Sequence, residues 1–252
     1  MDLHRCLHRI GYTGATDPTL DTLRGLHQAF MLTVPFENLD IHLGRKLSLS
    51  PERIYDKIVT KKRGGFCYEC NILFYELLSS LGFRVEYLSA RMVQGRTVGA
   101  EYDHMALNVH LENDYLADVG NGQSFREPLP MGGGEGSTPE SLTYRIEPHE
   151  NDLALYYRKP DTDWRPRFLF SLIPRDRVEF SGMCRHHQTS PESIFSRHRI
   201  VTMALPKGRA TLTGMRLTVT HGAEKETRKV ASDTEYDDIL KHTFGITIDG
   251  ST

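Results

Sequence analysis

The chain has 252 residues, of which 38% are hydrophobic and 25% charged, and its net charge is −2. This composition provides enough apolar material for a globular core, and the nearly neutral charge disfavours a nucleic-acid partner. No apolar run approaches the roughly 18 residues that span a bilayer, and the N-terminus lacks an apolar signal core. We therefore expect a cytoplasmic protein without a membrane contact. Its four cysteines are too few for a disulfide scaffold, so we expect free thiols.

The first eighty residues have the periodicity of amphipathic helices. Apolar side chains recur every three or four positions over residues 19–32, which predicts a helix there. A second helix is predicted after residue 50, with Ser50 as its N-cap and Pro51 at the first helical position. A third helix is predicted over residues 67–81, with Gly82 as its stop.

After Gly82 the pattern changes to short alternating or apolar segments, which are typical of β-strands. The predicted strands cover residues 84–93, 104–111, 114–120, 142–148, 153–159, 166–173, 198–205, 209–214 and 215–222. A closing helix is predicted over residues 233–246. The sequence therefore predicts an α+β fold with a helical N-terminal lobe, an antiparallel β region and a smaller C-terminal part.

The segment "RGGFCYECN" at residues 63–71 contains Cys67 and Cys70 in C-x-x-C spacing. A zinc site would need two more ligands, and Cys184 with His187, in what reads as a Pro-rich bend, is the available pair. A redox dithiol would need a βαβ context, whereas the preceding segment is helical. Two ordinary buried thiols are the plainest alternative.

The interpretation that we favour is a single nucleophile, Cys67, in the first turn of a helix behind a Gly-Gly pair. The positive end of the helix favours a thiolate, and so does a pairing with His104, so we expect a depressed pKa for Cys67. A cysteine nucleophile needs a base and an orienting acid, for which His104 and Asp118 are candidates. A two-residue turn at Asn113 and Asp114 would leave His104 about 17 Å along the strand from the position opposite Asp118. That register alone does not assemble a triad.

Seven segments in order resemble the arylamine N-acetyltransferase family and cover almost the whole chain. They are "RIGYTG" (9–14), "PFENLDIHLG" (35–44), "RGGFCYECN" (63–71), "DHMALNV" (103–109), "YLADVGNG" (115–122), "HHQTSPESIF" (186–195) and "FGI" (244–246). The resemblance implies a papain-like cysteine-enzyme core with a helical lobe, a β-barrel and a small α/β lid. The corresponding division is 1–83, 84–190 and 191–252.

The resemblance also implies an acyl-thioester cycle in which Cys67 is the nucleophile, His104 the base and Asp118 the orienting acid. Acetyl-CoA would be the acyl donor, no metal would take part, and the acceptors would be small arylamines, hydrazines or N-hydroxyarylamines. A monomer or homodimer is expected. Arg63 and Glu37 lie in the most specific motifs, and we expect them to pair and brace the active-site helix.

Two positions match the family's acceptor pocket, Phe36 and Val93, although core packing explains them equally well. The family usually has Gln where this chain has Cys70, which agrees with Cys70 as a bystander. It usually has Phe where this chain has Asn121, which borders the acceptor site. Asn121 therefore motivates an alternative function, a related acyltransferase or amide synthase with a non-arylamine acceptor.

Overall fold

The computed structural model describes residues 1–248. Its N-terminal third is helical, and the predicted helices are present. Thr19 and Ser50 accept hydrogen bonds from the first turns that follow them, as N-caps do. The elements are α1 (Leu3–Ile10), α2 (Leu20–Thr33), the two-residue strand β1 (Phe36–Glu37), α3 (Leu39–His42), α4 (Pro51–Tyr55), which continues as a π-helical turn (Asp56–Thr60), and α5 (Cys67–Ser80).

The middle of the chain forms a strongly curved antiparallel sheet. Its strands are β2 (Arg84–Gln94), β3 (Thr97–Val98), β4 (His104–His110), β5 (Asp114–Ala117), β6 (Leu129–Pro130), β7 (Glu135–Ser137), β8 (Thr143–His149), β9 (Asp152–Arg158) and β10 (Arg165–Phe170). Eight of these follow the order β6-β5-β4-β2-β10-β9-β8-β7, and β3 pairs with β2. Because β6 also contacts β8, the sheet is a nearly closed barrel.

A helical connection follows the barrel and corrects one prediction. It consists of a 3₁₀ turn (Arg177–Phe180), α6 (Ser181–Thr189) and α7 (Ile194–Arg197). The sequence analysis placed Cys184 and His187 in a Pro-rich bend, whereas both lie on the buried side of α6. The bend comes later, because α6 ends just before Pro191 and carries too few apolar residues to show a clear period.

The C-terminal part is a second antiparallel sheet with one helix. It contains β11 (Ile200–Leu205), β12 (Gly208–Thr213), β13 (Arg216–His221), β14 (Glu224–Lys229) and α8 (Asp233–Phe244), and its strand order is β1-β11-β12-β13-β14. Strand β14 was not predicted, because all six of its residues are exposed and its sequence EKETRK shows no apolar alternation. The predicted closing helix is present as α8, which ends at Phe244, two residues before the predicted end, because Gly245 takes a left-handed conformation.

The predicted α+β class is therefore confirmed, with helices first, a barrel second and a smaller sheet last. The largest apolar cluster lies between the N-terminal helices and strands β2, β4 and β5. A second cluster fills the barrel, and a third lies between the C-terminal sheet and α8. The exact division at residues 83 and 190 stays a prediction, and β1 crosses it, since this N-terminal strand belongs to the C-terminal sheet.

None of the helices in residues 1–248 is long and apolar enough to cross a membrane.

Candidate active site

The two glycines before Cys67 lie directly against the backbone around β1. Gly65 donates to the Pro35 carbonyl at 3.1 Å, and its own carbonyl accepts from the Glu37 N–H at 2.9 Å. A Cβ atom on Gly64 would lie 2.3 Å from the Pro35 oxygen, closer than any side chain allows. Glycine is therefore required here, and the close packing delivers Cys67 as the first residue of α5.

Cys67 is almost completely buried, with 4% of its surface exposed, and that surface borders a cleft of about 680 Å³. Burial raises the pKa of its thiol well above the ordinary value, and the nearby Cys184 and Asp118 raise it further. The prediction of a depressed pKa from the helix terminus is therefore wrong for this thiol by itself. A thiolate at neutral pH requires a neighbouring group that takes the proton and keeps the resulting positive charge close.

The structure separates the two cysteines of the C-x-x-C segment. The Cys70 thiol is fully buried and donates to the Gly65 carbonyl, with 3.3 Å between sulfur and oxygen. All four cysteines are free. His187 contacts Asp103, and Cys184 contacts Gln188, so neither is directed toward Cys70. Among the described residues, no group of three or more His, Cys, Asp or Glu side chains is arranged to hold a metal ion.

His104 and Asp118 form a buried hydrogen-bonded pair. The ring Nε2 of His104 lies 2.8 Å from Oδ2 of Asp118, and the two residues are 3% and 0% exposed. The chain does not make the two-residue turn considered above, because His110 pairs with Asp114 and the loop between them has three residues. In this register Leu107 faces Ala117, where β5 ends, and the next residue, Asp118, reaches His104. The wider loop therefore resolves the mismatch in the sequence-based register.

Two groups hold the other oxygen of Asp118. The Asn71 side-chain amide donates to Oδ1 at 3.0 Å, and so does the backbone N–H of Gly120 at 3.0 Å. Burial alone would raise the pKa of Asp118, but His104, Asn71 and Gly120 together hold it below the usual carboxyl range. The carboxylate is therefore ionised and fixed at both oxygens. Since His104 Nε2–H is the donor to Asp118, Nδ1 remains as the basic ring nitrogen.

A second buried histidine lies behind the acid. His27 Nε2 accepts from the Asp118 backbone N–H at 3.2 Å, and Nδ1 lies 2.9 Å from the Arg126 carbonyl, so the proton is on Nδ1. Burial lowers the pKa of His27 to about 4, which keeps the ring neutral. Its ring stacks on Phe125 at 5.6 Å between centroids. His27 thus fixes the backbone of the segment that carries Asp118.

A buried network of charges supports the start of α5, and it includes the predicted pair of Arg63 and Glu37. Arg63 donates to Glu37 at 2.6 Å and to Asp40 at 3.0 Å. Lys57 lies 2.8 Å from Asp40 and 2.7 Å from Glu69. The Glu69 carboxylate then accepts the backbone N–H of Phe66 at 2.8 Å, one residue before Cys67. The network therefore connects β1 to the first turn of α5, as expected for the pair of Arg63 and Glu37. It contains three residues more than that predicted pair.

The three predicted pocket residues, Phe36, Val93 and Asn121, line the same cleft as Cys67 and His104. Phe36 packs on Phe66, with ring centroids 5.5 Å apart. The Asn121 side chain is held by a hydrogen bond of 2.8 Å from Nη2 of Arg167 on β10. Asp118 is not part of the cleft surface, because it lies behind His104.

The sequence analysis missed Asn71, Lys57 and His27. A signal existed for Asn71, because a residue four positions after the nucleophile lies on the same face of its helix. Lys57 and His27 gave no comparable signal, since each lies on an ordinary amphipathic helix and its partners are distant in sequence. Only the tertiary fold reveals that these polar side chains are buried and paired.

Comparisons with known proteins agree with this geometry. The family model described as N-acetyltransferase matches residues 19–252. The chain is 33% identical to the arylamine N-acetyltransferase pineal gland isozyme NAT-3 of Gallus gallus, over 99% of this chain and 95% of the relative. The solved arylamine N-acetyltransferase of Salmonella typhimurium superposes with a TM-score of 0.92 at 28% identity, covering 99% of this chain and 93% of that one.

A third similar protein is the arylamine N-acetyltransferase of Mycobacterium marinum, solved in complex with CoA. It superposes with a TM-score of 0.89 at 32% identity, covering 97% of this chain and 93% of that one. Family model, sequence relatives and solved structures agree over nearly the full length of the chain and confirm the resemblance of its motifs. The chain belongs to the arylamine N-acetyltransferase family.

Proposed function

We propose that the chain transfers an acetyl group from acetyl-CoA to a small arylamine, hydrazine or N-hydroxyarylamine through a thioester on Cys67. The observation that carries the proposal is the buried His104–Asp118 pair, which shares one cleft with Cys67. Its roles are those of base and orienting acid for a thiol nucleophile.

In the first half-reaction, His104 Nδ1 takes the proton of the Cys67 thiol, and the sulfur attacks the thioester carbonyl of the donor. The ionised Asp118 stabilises the imidazolium that forms, which offsets the burial that otherwise keeps the thiol protonated. The positive end of α5 stabilises the oxyanion of the tetrahedral intermediate. The C–S bond of the donor breaks, and the CoA thiolate leaves with the proton from His104.

In the second half-reaction, the amine nitrogen attacks the acetyl carbonyl on Cys67. His104 accepts a proton from the attacking nitrogen, the C–S bond to Cys67 breaks, and the proton returns to the thiol. The cleft of about 680 Å³ is large enough for a small aromatic ring once CoA has left. Because one cleft serves both substrates in turn, the cycle is ping-pong.

The donor assignment is supported by the relative from Mycobacterium marinum, whose solved structure is a complex with CoA. The cycle uses a thiol, an imidazole and a carboxylate of this chain and calls on no metal. A cytoplasmic location and a monomeric or homodimeric state stay predictions.

Intact mass spectrometry after brief mixing with acetyl-CoA, without acceptor, tests the proposal. We expect one added acetyl group on the wild type and on Cys70→Ala, and none on Cys67→Ala. Cys70→Ala is the matched control, because it removes a thiol from the same helical turn without touching the cleft. An adduct on Cys67→Ala, or none on a folded and reduced wild type, would refute the thioester cycle.

A further inference from the structure

The wall of the cleft contains a group of guanidinium ions, two buried and one half-buried, with too few negative partners. Arg167 and Arg209 both line the cleft, and Arg126 lies behind them. Glu140 is the carboxylate of this group, 2.7 Å from Arg126 Nη2 and 3.4 Å from Arg209 Nε. Three positive charges therefore share one negative charge in a region largely removed from water.

Several N–H donors of this group lack acceptors, and among the described residues they outnumber the group's unpartnered acceptor, Glu140 Oε2. Within residues 1–248, Asn121 Nδ2, Arg167 Nε and Arg209 Nη2 are buried and have no hydrogen-bond partner. Arg209 is only 5% exposed. Its Nη1 donates a hydrogen bond to the Thr202 hydroxyl at 3.1 Å. Buried donors in folded proteins are normally satisfied, so unpartnered donors beside a cleft indicate a ligand that accepts from them.

The group lies next to the nucleophile. A Cβ atom on Gly120 would be 2.9 Å from the Cys67 Cα, and Asn121 is the next residue along the chain. The Asn121 side chain is anchored to Arg167, so the amide and the guanidinium act as one unit. A small molecule bound to Asn121 and Arg167 could therefore also reach the Cys67 sulfur.

We propose that Asn121, Arg167 and Arg209 form a carboxylate-binding subsite beside Cys67. This inference rests on the proposed function and specifies its substrate class. A planar carboxylate with two oxygens matches the fork of a guanidinium, and Asn121 supplies a further donor. The carboxylate can arrive on the acceptor, as in an aminobenzoate, or on the acyl group of the donor, as in malonyl-CoA. The Asn121 position, where the family usually has Phe, is thereby converted from an aromatic contact to an anion contact.

The first arm of the test compares acceptors. We expect the wild type, with acetyl-CoA, to show a kcat/KM for 4-aminobenzoate at least about tenfold above that for 4-aminobenzamide. Arg167→Met should remove this preference by lowering kcat/KM for 4-aminobenzoate much more than for 4-aminobenzamide, and Asn121→Phe should reduce it. Arg165→Met is the matched control, because it removes an exposed arginine from the same strand.

The second arm compares donors by the rate at which Cys67 gains malonyl or butyryl from the CoA thioesters, measured by intact mass. A preference for malonyl that Arg167→Met abolishes would assign the carboxylate to the acyl group. A preference in the first arm alone would assign it to the acceptor. If neither arm shows a preference that depends on Arg167, the subsite is refuted. It is also refuted if Arg167→Met raises the KM for acetyl-CoA equally with every acceptor, because the arginines would then serve the donor's phosphates.

A binding measurement separates this inference from the proposed function. In Cys67→Ala, which cannot form the thioester, benzoate or malonate should raise the melting temperature more than benzamide or malonamide does. The difference should disappear in the double variant Cys67→Ala/Arg167→Met. Equal effects of acids and amides would overturn the subsite, whereas failure of the wild type to form an acetyl adduct would overturn only the thioester cycle.

Discussion

At the scale of single residues, the two oxygens of Asp118 have separate tasks. Oδ2 accepts from His104, while Oδ1 accepts from Asn71 and from the Gly120 N–H. Because donors occupy both oxygens, the carboxylate stays ionised and cannot rotate away from the imidazole. The ring of His104 is thereby fixed with its basic nitrogen available, so a residue outside the cleft decides which ring nitrogen of His104 carries the hydrogen.

The raised pKa of the Cys67 thiol makes its reactivity depend on His104. In His104→Gln the Cys67 thiol has no proton acceptor. Burial then keeps the pKa of the thiol high, and the thiolate appears only at alkaline pH. We expect the alkylation rate of Cys67 by iodoacetamide to rise about tenfold per pH unit up to at least about pH 9 in the variant. The wild type should react faster near neutral pH. A variant that keeps the wild-type rate at neutral pH would show that His104 does not activate the thiol; peptide mapping identifies the labelled cysteine.

His27 predicts a measurable dependence of stability on pH. Burial lowers its pKa from 6.5 to about 4, so the unfolded chain takes up a proton below about pH 6.5 that the folded chain excludes. Its contribution is complete above the unfolded pKa and is lost as the pH falls toward the folded one. Between about pH 7 and about pH 5 we expect this residue to remove about 2 kcal/mol from the free energy of unfolding.

Urea denaturation of the wild type and of His27→Gln at the two pH values measures this slope. The variant should lose less stability on acidification than the wild type, even if it is less stable at both pH values. His221→Gln, which changes an exposed histidine on β13, serves as the control and should keep the wild-type slope. The same slope in wild type and His27→Gln would contradict the assignment.

At the scale of elements, the site depends on close contact between α5 and the segment after β5. Gly120 is the contact point, since a Cβ atom there would lie 2.5 Å from the Cys67 carbonyl oxygen and 2.7 Å from Asn71 Nδ2. Helix α5 supplies the proposed nucleophile and Asn71, while the barrel supplies His104 and Asp118. The relative position of two elements thus sets the geometry of the triad.

Gly120→Ala should therefore impair catalysis while leaving the fold in place. The added methyl group forces the backbone of Cys67 away from the barrel, and a shift of about 1 Å at a reacting atom costs on the order of 10²-fold in rate. The rate of acetylation of Cys67 by acetyl-CoA, followed by intact mass, measures the effect. Gly132→Ala is the control, because a Cβ atom at Gly132 has no neighbour within 4 Å. A normal rate in Gly120→Ala would show that the contact is not critical.

At the scale of the whole molecule, buried charge joins parts of the chain that are far apart in sequence. Lys57 lies within 4 Å of three carboxylates, those of Glu37, Asp40 and Glu69. These carboxylates, together with Lys57 and Arg63, leave the network with one net negative charge. Each buried ion is therefore paired, and the loss of one cation leaves the others without compensation.

Lys57→Met should destabilise the protein by about 3–5 kcal/mol, because it leaves buried carboxylates unpaired. Lys61→Met is the matched control. It removes a lysine one helical turn later that pairs with Asp56 on the surface, and it should cost less than about 1 kcal/mol. Urea unfolding followed by circular dichroism compares the two. Equal effects of the two substitutions would mean that the network does not stabilise the fold.

Much of the secondary structure could be predicted from the sequence, because the local signals for it are strong. The cap of α4, the spans of α2 and α5 and the strands with apolar alternation follow from local physics. The roles of His104 and Asp118 came from the family resemblance, because their strand register depends on a three-residue loop that no local rule predicts. Strand β14 and helix α6 were not predicted, because neither has a clear apolar period. The predicted pKa of Cys67 was too low, because burial raises it.

The pairing of β1 with β11 has a consequence for the order in which a ribosome delivers the enzyme. Phe36 lies opposite Thr202, and the Asn38 side chain bonds to the carbonyls of Phe195 and His198. All members of the candidate triad have been synthesised once residue 118 has emerged. The part of the cleft that comes from α7 and the C-terminal sheet has not yet been synthesised at that point. A nascent chain therefore carries the thiol and its base before the cleft is complete, and competence arrives only after β11 has been synthesised.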